Sequence, residues 1–282
     1  MHFCDLSETG GAGMFGDHRA FSAQSDEVTV DPDDAYLDSF SHLAKIIVGQ
    51  PGTTFRDAAK TDPIADGEAI RNQTQAQSGL AFGDMTTTSD ATAFVYDEDG
   101  FNGLPCAQGA MGRFWFHQLA SGVEVADCCI FVVCTVNSSA SDKAIFYSGE
   151  TTGYDNNNQQ LLIRGGQNSG VDRITVGGNG NWHQPASPID TPMVIGLRYV
   201  TGDQWLRIET ASTVYEDNSP SPGPAPPASR SLRTLYMGRR AGTVAWEWWL
   251  GKLREMRWID GAMSEAEFNE FIAALKRKNA IV

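Results

Sequence analysis

Apolar residues fall at Phe268, Phe271, Ile272 and Leu275, the spacing of one helical face. The start of that helix is marked by Ser264, three residues before Glu267, which fits a capping box, and by Met263 and Phe268 at the positions of a hydrophobic staple. Lys276, Arg277 and Lys278 occupy the last turn, where cations oppose the negative end of the helix dipole. A helix over about 265–278 is expected, packed on a sheet, because so short a helix is marginal alone.

Upstream the period shortens. The run 127–136 is the most apolar of the chain, Cys-Cys-Ile-Phe-Val-Val-Cys-Thr-Val after Asp127, and of strand length, so it reads as a central strand buried on both faces. Met193, Ile195, Leu197 and Tyr199 alternate onto one face. In the returning strand Leu206 and Ile208 share one face, while Trp205, Arg207 and Glu209 share the other. Residues 232–238 and 252–259 read as further strands, and Asp260-Gly261 as a turn. Shorter strands over 144–148, 160–164 and 173–176 are separated by loops of Gly and Asn. Ile130, Val132, Leu197, Leu206 and Leu253 are the expected core of two sheets packed face to face. Trp246 and Trp248 should share one face and Trp249 the other.

The first fifth of the chain has a different pattern. Met1–Val30 is Gly-rich and aperiodic, an extended arm with few large apolar residues, Phe3, Phe15 and Phe21 among them. Over 33–48, Tyr36, Leu37, Phe40, Leu43, Ala44 and Ile47 fit one helical face, and Gly49 and Pro51 follow, so a docking helix is expected. Residues 53–82 are polar and irregular. The stretch 217–230 is Pro-rich and reads as an exposed loop, since Pro cannot add to a sheet interior.

Of the 282 residues, 41% are hydrophobic and 29 are Gly, and the formal net charge is −14. That balance argues against nucleic acid or an anionic membrane as partner, both of which reward basic patches. Residues 1–22 lack the basic start and apolar core of a signal peptide. Together with five Cys that show no Cys-x-x-Cys spacing, this leads to an expectation of synthesis in a reducing host cytoplasm with free thiols.

The order of a strand, Gly251, Leu253 and Glu255, then Met263, Ser264 and Glu267, resembles the close of a concanavalin A-like lectin/glucanase domain of the laminin G-like kind. Asn102, Gly103 and Pro105 resemble that family's Asn-Gly-x-Pro approach to an early strand. The resemblance implies an all-β, concanavalin A-like jelly-roll sandwich of two antiparallel sheets, with a C-terminal helix and an N-terminal extension. The expected division is an anchoring arm and helix over 1–52 and the sandwich over 53–282.

Glucanases of the resembled family place catalytic carboxylates as Glu-x-Asp-x-x-Glu or a close variant on one strand. No such string occurs here, and no nucleophile elbow, His-Glu-x-x-His or phosphate loop is present. The chain is therefore expected not to be an enzyme. Asp97, Asp99 and Asn102 carry oxygens of the kind Ca²⁺ takes but are too few for its coordination, so neither metal nor cofactor is expected. Lectin sites of the family offer an aromatic face and amide or carboxylate groups, which points to Asn181, Trp182 and His183, placed on a Gly-rich loop. With its arm and layout the chain most resembles tail, fibre and capsid-decoration proteins of bacteriophages. The leading expectation is a structural virion protein, anchored to other virion proteins through Phe3, Phe15 and Phe21. A glycan-binding lectin module for surface attachment is the alternative, and a glycoside hydrolase the third reading. Self-association and a surface glycan remain open as partners.

Overall fold

The computed structural model describes residues 31–137, 143–149, 161–168, 171–178, 181–183, 190–200, 203–217, 230–239 and 248–282, with backbone alone at 143, 165–168, 171–178, 181–183, 203, 204 and 230. The expected arm, including Phe3, Phe15 and Phe21, and most of the Pro-rich stretch lie outside them.

In chain order the elements are α1 (Pro32–Leu37), β1 (His42–Ile47), β2 (Thr54–Phe55), β3 (Ala69–Ile70), β4 (Asn72–Gln73), β5 (Met85–Thr86), β6 (Phe94–Phe101), β7 (Leu104–Gly109), β8 (Trp115–Val125) and β9 (Cys128–Val136). There follow β10 (Lys143–Gly149), β11 (Leu161–Asn168), β12 (Val171–Gly178), β13 (Asn181–His183), β14 (Met193–Val200), β15 (Asp203–Glu209), β16 (Val214–Asp217), β17 (Arg230–Met237), β18 (Gly251–Asp260) and α2 (Glu265–Lys278). Among the described residues the strands make two nine-stranded antiparallel sheets. The first runs β16-β15-β14-β9-β18-β7-β6-β3, with β1 also on β18; the second runs β13-β12-β11-β10-β17-β8-β5-β4-β2. This is the expected all-β, concanavalin A-like sandwich with a helix following the last strand.

Alternation assigns each residue to a layer. From β9, Cys128, Ile130, Val132 and Cys134 enter the core between the sheets. Their neighbours Cys129, Phe131 and Val133 face a second layer beneath the helices, so the strand is buried on both sides, as its apolar run predicts. The five expected core residues, Ile130, Val132, Leu197, Leu206 and Leu253, are all buried between the sheets. Helix α2 has the expected span. The Ser264 hydroxyl accepts from the Glu267 N–H, and the Glu267 carboxylate accepts from the Ser264 N–H at 2.8 Å. Its stripe of Phe268, Phe271, Ile272 and Leu275 covers the outer face of the first sheet, Phe271 stacking on Phe131 with centroids 4.2 Å apart.

The helix expected over 33–48 is not there. Helix α1 stops at Leu37, and residues 42–47 form a fully buried strand. The reason is a vacancy in the first sheet. Strand β7 pairs with β18 only over Gly251–Leu253, and β1 takes the same edge over Glu255–Ile259. Without β1 those backbone groups would be buried and unpaired. An apolar run fits both periods, and this tertiary demand decides between them. Residues 31–52, grouped with the arm in the sequence reading, thus fall within the unit Asp31–Val282.

Candidate functional site

Both helices lie on the first sheet, so the second sheet is where an open face has to be sought. One transverse row crosses it. Phe55, Asn72, Thr86, Phe116, Tyr236, Tyr147, Leu162, Gly177 and Trp182 are successive cross-strand partners, one from each strand. Directly paired residues share a face. The face is the outer one, because Phe114, Tyr147, Leu162 and Tyr236 form a cluster separate from the inter-sheet core. Phe116 stacks on Tyr236 at 5.8 Å and Phe114 lies 5.7 Å from Trp248. Phe55, Thr86, Phe116 and Trp248 are half-buried, while Tyr147 and Leu162 are fully buried. Trp249 points the other way into the core, as alternation with Trp248 requires; Trp246 lies outside the described residues.

At the β2 end of this row the chain opens a cavity of about 490 Å³. It sits where the terminal strands of the two sheets, β2 and β3, come together. Its polar lining is Arg56, Asp57, Asp62, Glu68, Arg71 and Asp90. Arg56 Nη1 donates to Glu68 at 2.9 Å and its Nε to Asp62. Arg71 donates to Asp90 at 2.9 Å and to the Thr88 carbonyl at 3.2 Å. The Asp57 carboxylate accepts from the Thr61 N–H and hydroxyl at 3.0 and 2.8 Å and from the Asp62 N–H at 3.0 Å. The backbone N–H of Ala65, and then Arg56, hold the Glu68 carboxyl below its ordinary range. Burial pushes Asp57 up, but its bonds from Thr61 and Asp62 prevail and it too is lowered. Neither group has the raised pKa of a general acid. The lining is instead a set of carboxylate acceptors and planar guanidinium donors held by one another, suited to hydrogen-bonding a polyol.

The residues expected as a glycan site lie elsewhere. Asn181, Trp182 and His183 form the edge strand β13 rather than a loop, paired as Gly178–Asn181, Gly177–Trp182 and Val176–His183. Strand alternation puts position 182 on the outer row and positions 181 and 183 on the opposite face. Their side chains lie outside what is described. Asn102 and Gly103 form the β6–β7 hairpin turn with φ of 53° and 77°, the left-handed pair that Asn-Gly turns favour. The Asn102 amide donates to the carbonyls of Asn279 and Ala280 at 3.3 and 3.0 Å, and Asp97 faces Lys252 at 3.4 Å. Among the described residues no group of three or more His, Cys, Asp or Glu could hold a metal ion. The cavity residues were missed because Arg56, Asp57, Lys60, Asp62, Asp66, Glu68 and Arg71 read as a solvated loop. Their signal is the density of charges of both signs over 56–71.

No family model matches the sequence, and no curated protein matches it. Solved structures do. An arabinofuranosidase complexed with arabinofuranosyl-α-1,2-xylobiose has a TM-score of 0.62 and 13% identity, over 87% of this chain and 64% of that one. A GH54 α-L-arabinofuranosidase soaked with a cyclic sulfate inhibitor has a TM-score of 0.60 and 13% identity, over 87% and 65%. This chain therefore spans a little under two thirds of those chains' length. At such identity the likeness establishes the fold. It also corrects the leading expectation from the sequence. The proteins whose fold runs along most of this chain are carbohydrate-active, and the virion-protein reading is set aside.

Proposed function

We propose that the chain is a carbohydrate-binding sandwich that holds its sugar without cleaving it. The observation that carries this reading is the open cavity, where carboxylates and two guanidinium groups are fixed by mutual hydrogen bonds. Sugars present vicinal hydroxyls, each both donor and acceptor, and such a lining satisfies them without rearrangement. The arabinofuranosidases of like fold were solved with pentose-bearing ligands or inhibitor, which makes arabinose- and xylose-containing oligosaccharides the first to try. The non-catalytic half of the reading rests on geometry: Glu68 and Asp62 are paired with Arg56, Asp90 with Arg71, and Asp57 with Thr61, so the cavity offers no unpaired acid of the kind glycoside cleavage needs.

Calorimetric titration with arabino- and xylo-oligosaccharides tests it. Saturable binding is expected, weakened roughly tenfold by Arg71→Ala, the loss typical of a charge-assisted hydrogen bond. No reducing ends should appear on long incubation. Absence of binding across a broad glycan panel would overturn the binding reading, and sugar release abolished by replacing one carboxylate would overturn the non-catalytic one.

A further inference from the structure

Arg239 is held by aromatic rings rather than by a carboxylate. The chain holds 35 acidic and 21 basic side chains, so acids are abundant. Arg56, Arg71, Arg207, Arg257 and Arg277 each have a carboxylate partner. Arg239 has none among the described residues. Its guanidinium carbon lies 3.6 Å above the Phe114 ring, 5.2 Å from that of Tyr236 and 5.4 Å from that of Trp248. Its Nε is buried without a hydrogen-bond partner. Burial pulls its pKa down against the Tyr236 phenol beside it, yet a guanidinium stays charged at any working pH.

A cation stacked on one ring and flanked by two more is held by the rings' negative faces. The Tyr236 side chain hydrogen-bonds the guanidinium and Nε is buried, so the terminal Nη groups are the ones left to meet a ligand, and their planar pair matches a carboxylate in geometry as well as charge. The half-buried Trp248 and Phe116 beside it offer apolar surface to the C–H face of a ring. We propose that Arg239, with Phe114, Tyr236 and Trp248, forms a second binding site, distinct from the cavity, that takes the carboxylate of a uronate residue in an otherwise neutral saccharide. The net charge of −14 disfavours a polyanion, while an isolated carboxylate meets one local cation. The saccharide part of this assignment rests on the function proposed above.

The test uses the full chain and two matched probes, xylotetraose carrying a glucuronate branch and its carboxyl-reduced counterpart. The acid form should bind roughly tenfold or more tightly, as a charge-assisted pair would give. Arg239→Gln should remove that difference and leave affinity for the neutral probe unchanged; Arg239→Lys, which keeps charge but loses the fork, should restore it in part. Equal affinity of the unaltered protein for both probes overturns the inference and leaves the carbohydrate reading standing. Failure of both probes and of every neutral oligosaccharide overturns both. The comparison of probes on unaltered protein decides the matter even if Arg239→Gln fails to fold.

Discussion

Glu255 and Arg257 lie two residues apart on β18, on the same face, fully buried, with Arg257 Nε 2.6 Å from Glu255 Oε1. Helices α1 and α2 both reach this pair. Asp38 accepts from Arg257 at 2.6 Å, Lys278 meets Glu255 at 3.2 Å, and the Asn279 amide donates to Glu255 at 3.2 Å. Removing one partner leaves a charge in a site built for two. Arg257→Met is expected to cost about 3 kcal/mol in urea denaturation. The double variant with Glu255→Gln should cost less than the sum of the single ones. Additive losses would show that the two charges do not depend on each other.

His42, on β1, sits in the same layer. Burial, then the charges of Arg257 and Lys45, lower its pKa to about 4. The unfolded chain, near 6.5, takes up a proton that the folded chain refuses, so stability falls as pH drops from about 6.5 to about 4. The loss from this group is roughly 3 kcal/mol. Burial pushes Glu255 up, but Arg257 and Lys278 outweigh it and hold it at about 2. Its contribution is present above about pH 4.5 and is lost as pH falls towards 2. Melting temperature against pH should therefore decline through both windows, and His42→Gln should flatten the upper one alone. An unchanged upper slope would refute the assignment to His42.

Ser264 accepts from the Glu267 N–H, and Glu267 answers at the Ser264 N–H. Ser264→Ala should lower stability by about 1 kcal/mol without altering the sheet. Ser264→Asp should keep most of it, since a carboxylate also caps and suits the helix start.

Gly196 on β14 lies against α2. A Cβ there would stand 2.7 Å from Phe268 and 2.8 Å from Ile272. Gly196→Val is expected to cost about 1–3 kcal/mol through overpacking, with Gly196→Ala costing less. A Val variant as stable as the parent would mean that α2 is not seated on this strand.

Cys106, Cys128, Cys129 and Cys134 are free and buried, and burial pushes the Cys106 and Cys129 thiols up to about 12. In the native protein these four should not react with a disulfide reagent at neutral pH, because the thiolate is the reactive form. Denaturant should release them together. Rapid labelling of any of the four in the native state would contradict the packing.

Much of the scaffold can be read from local patterns. Helix α2 has a capping box and a stripe, β9 an apolar run, and β14 and β15 strict alternation, so each is specified by residues close in sequence. The resembled motif also proves structural in detail: Leu253 enters the core and Glu255 binds the helix layer. Strand β1 was misread because its form is set by the free edge of β18, two hundred residues on. The transverse aromatic row depends on register among nine strands, and the seating of Arg239 on Phe114 depends on strands far apart in sequence. Neither is a property of any short window. The cavity lay in plain sight as charges, but whether paired charges line a hollow or a loop is decided only by the strands that hold them.

Strand β18 has β9 along one side, and β7 followed by β1 along the other. Three segments made early in synthesis are thus joined through one made late. On the ribosome, the apolar ribbon Cys128–Val136 keeps an open edge until residues 251–260 have left the exit tunnel. A nascent chain stalled before that point holds an unpaired strand of the kind that seeks a neighbour's. Folding of this sandwich in a cell should accordingly depend on how quickly translation completes β18, and on chaperones that shield β9 in the interval.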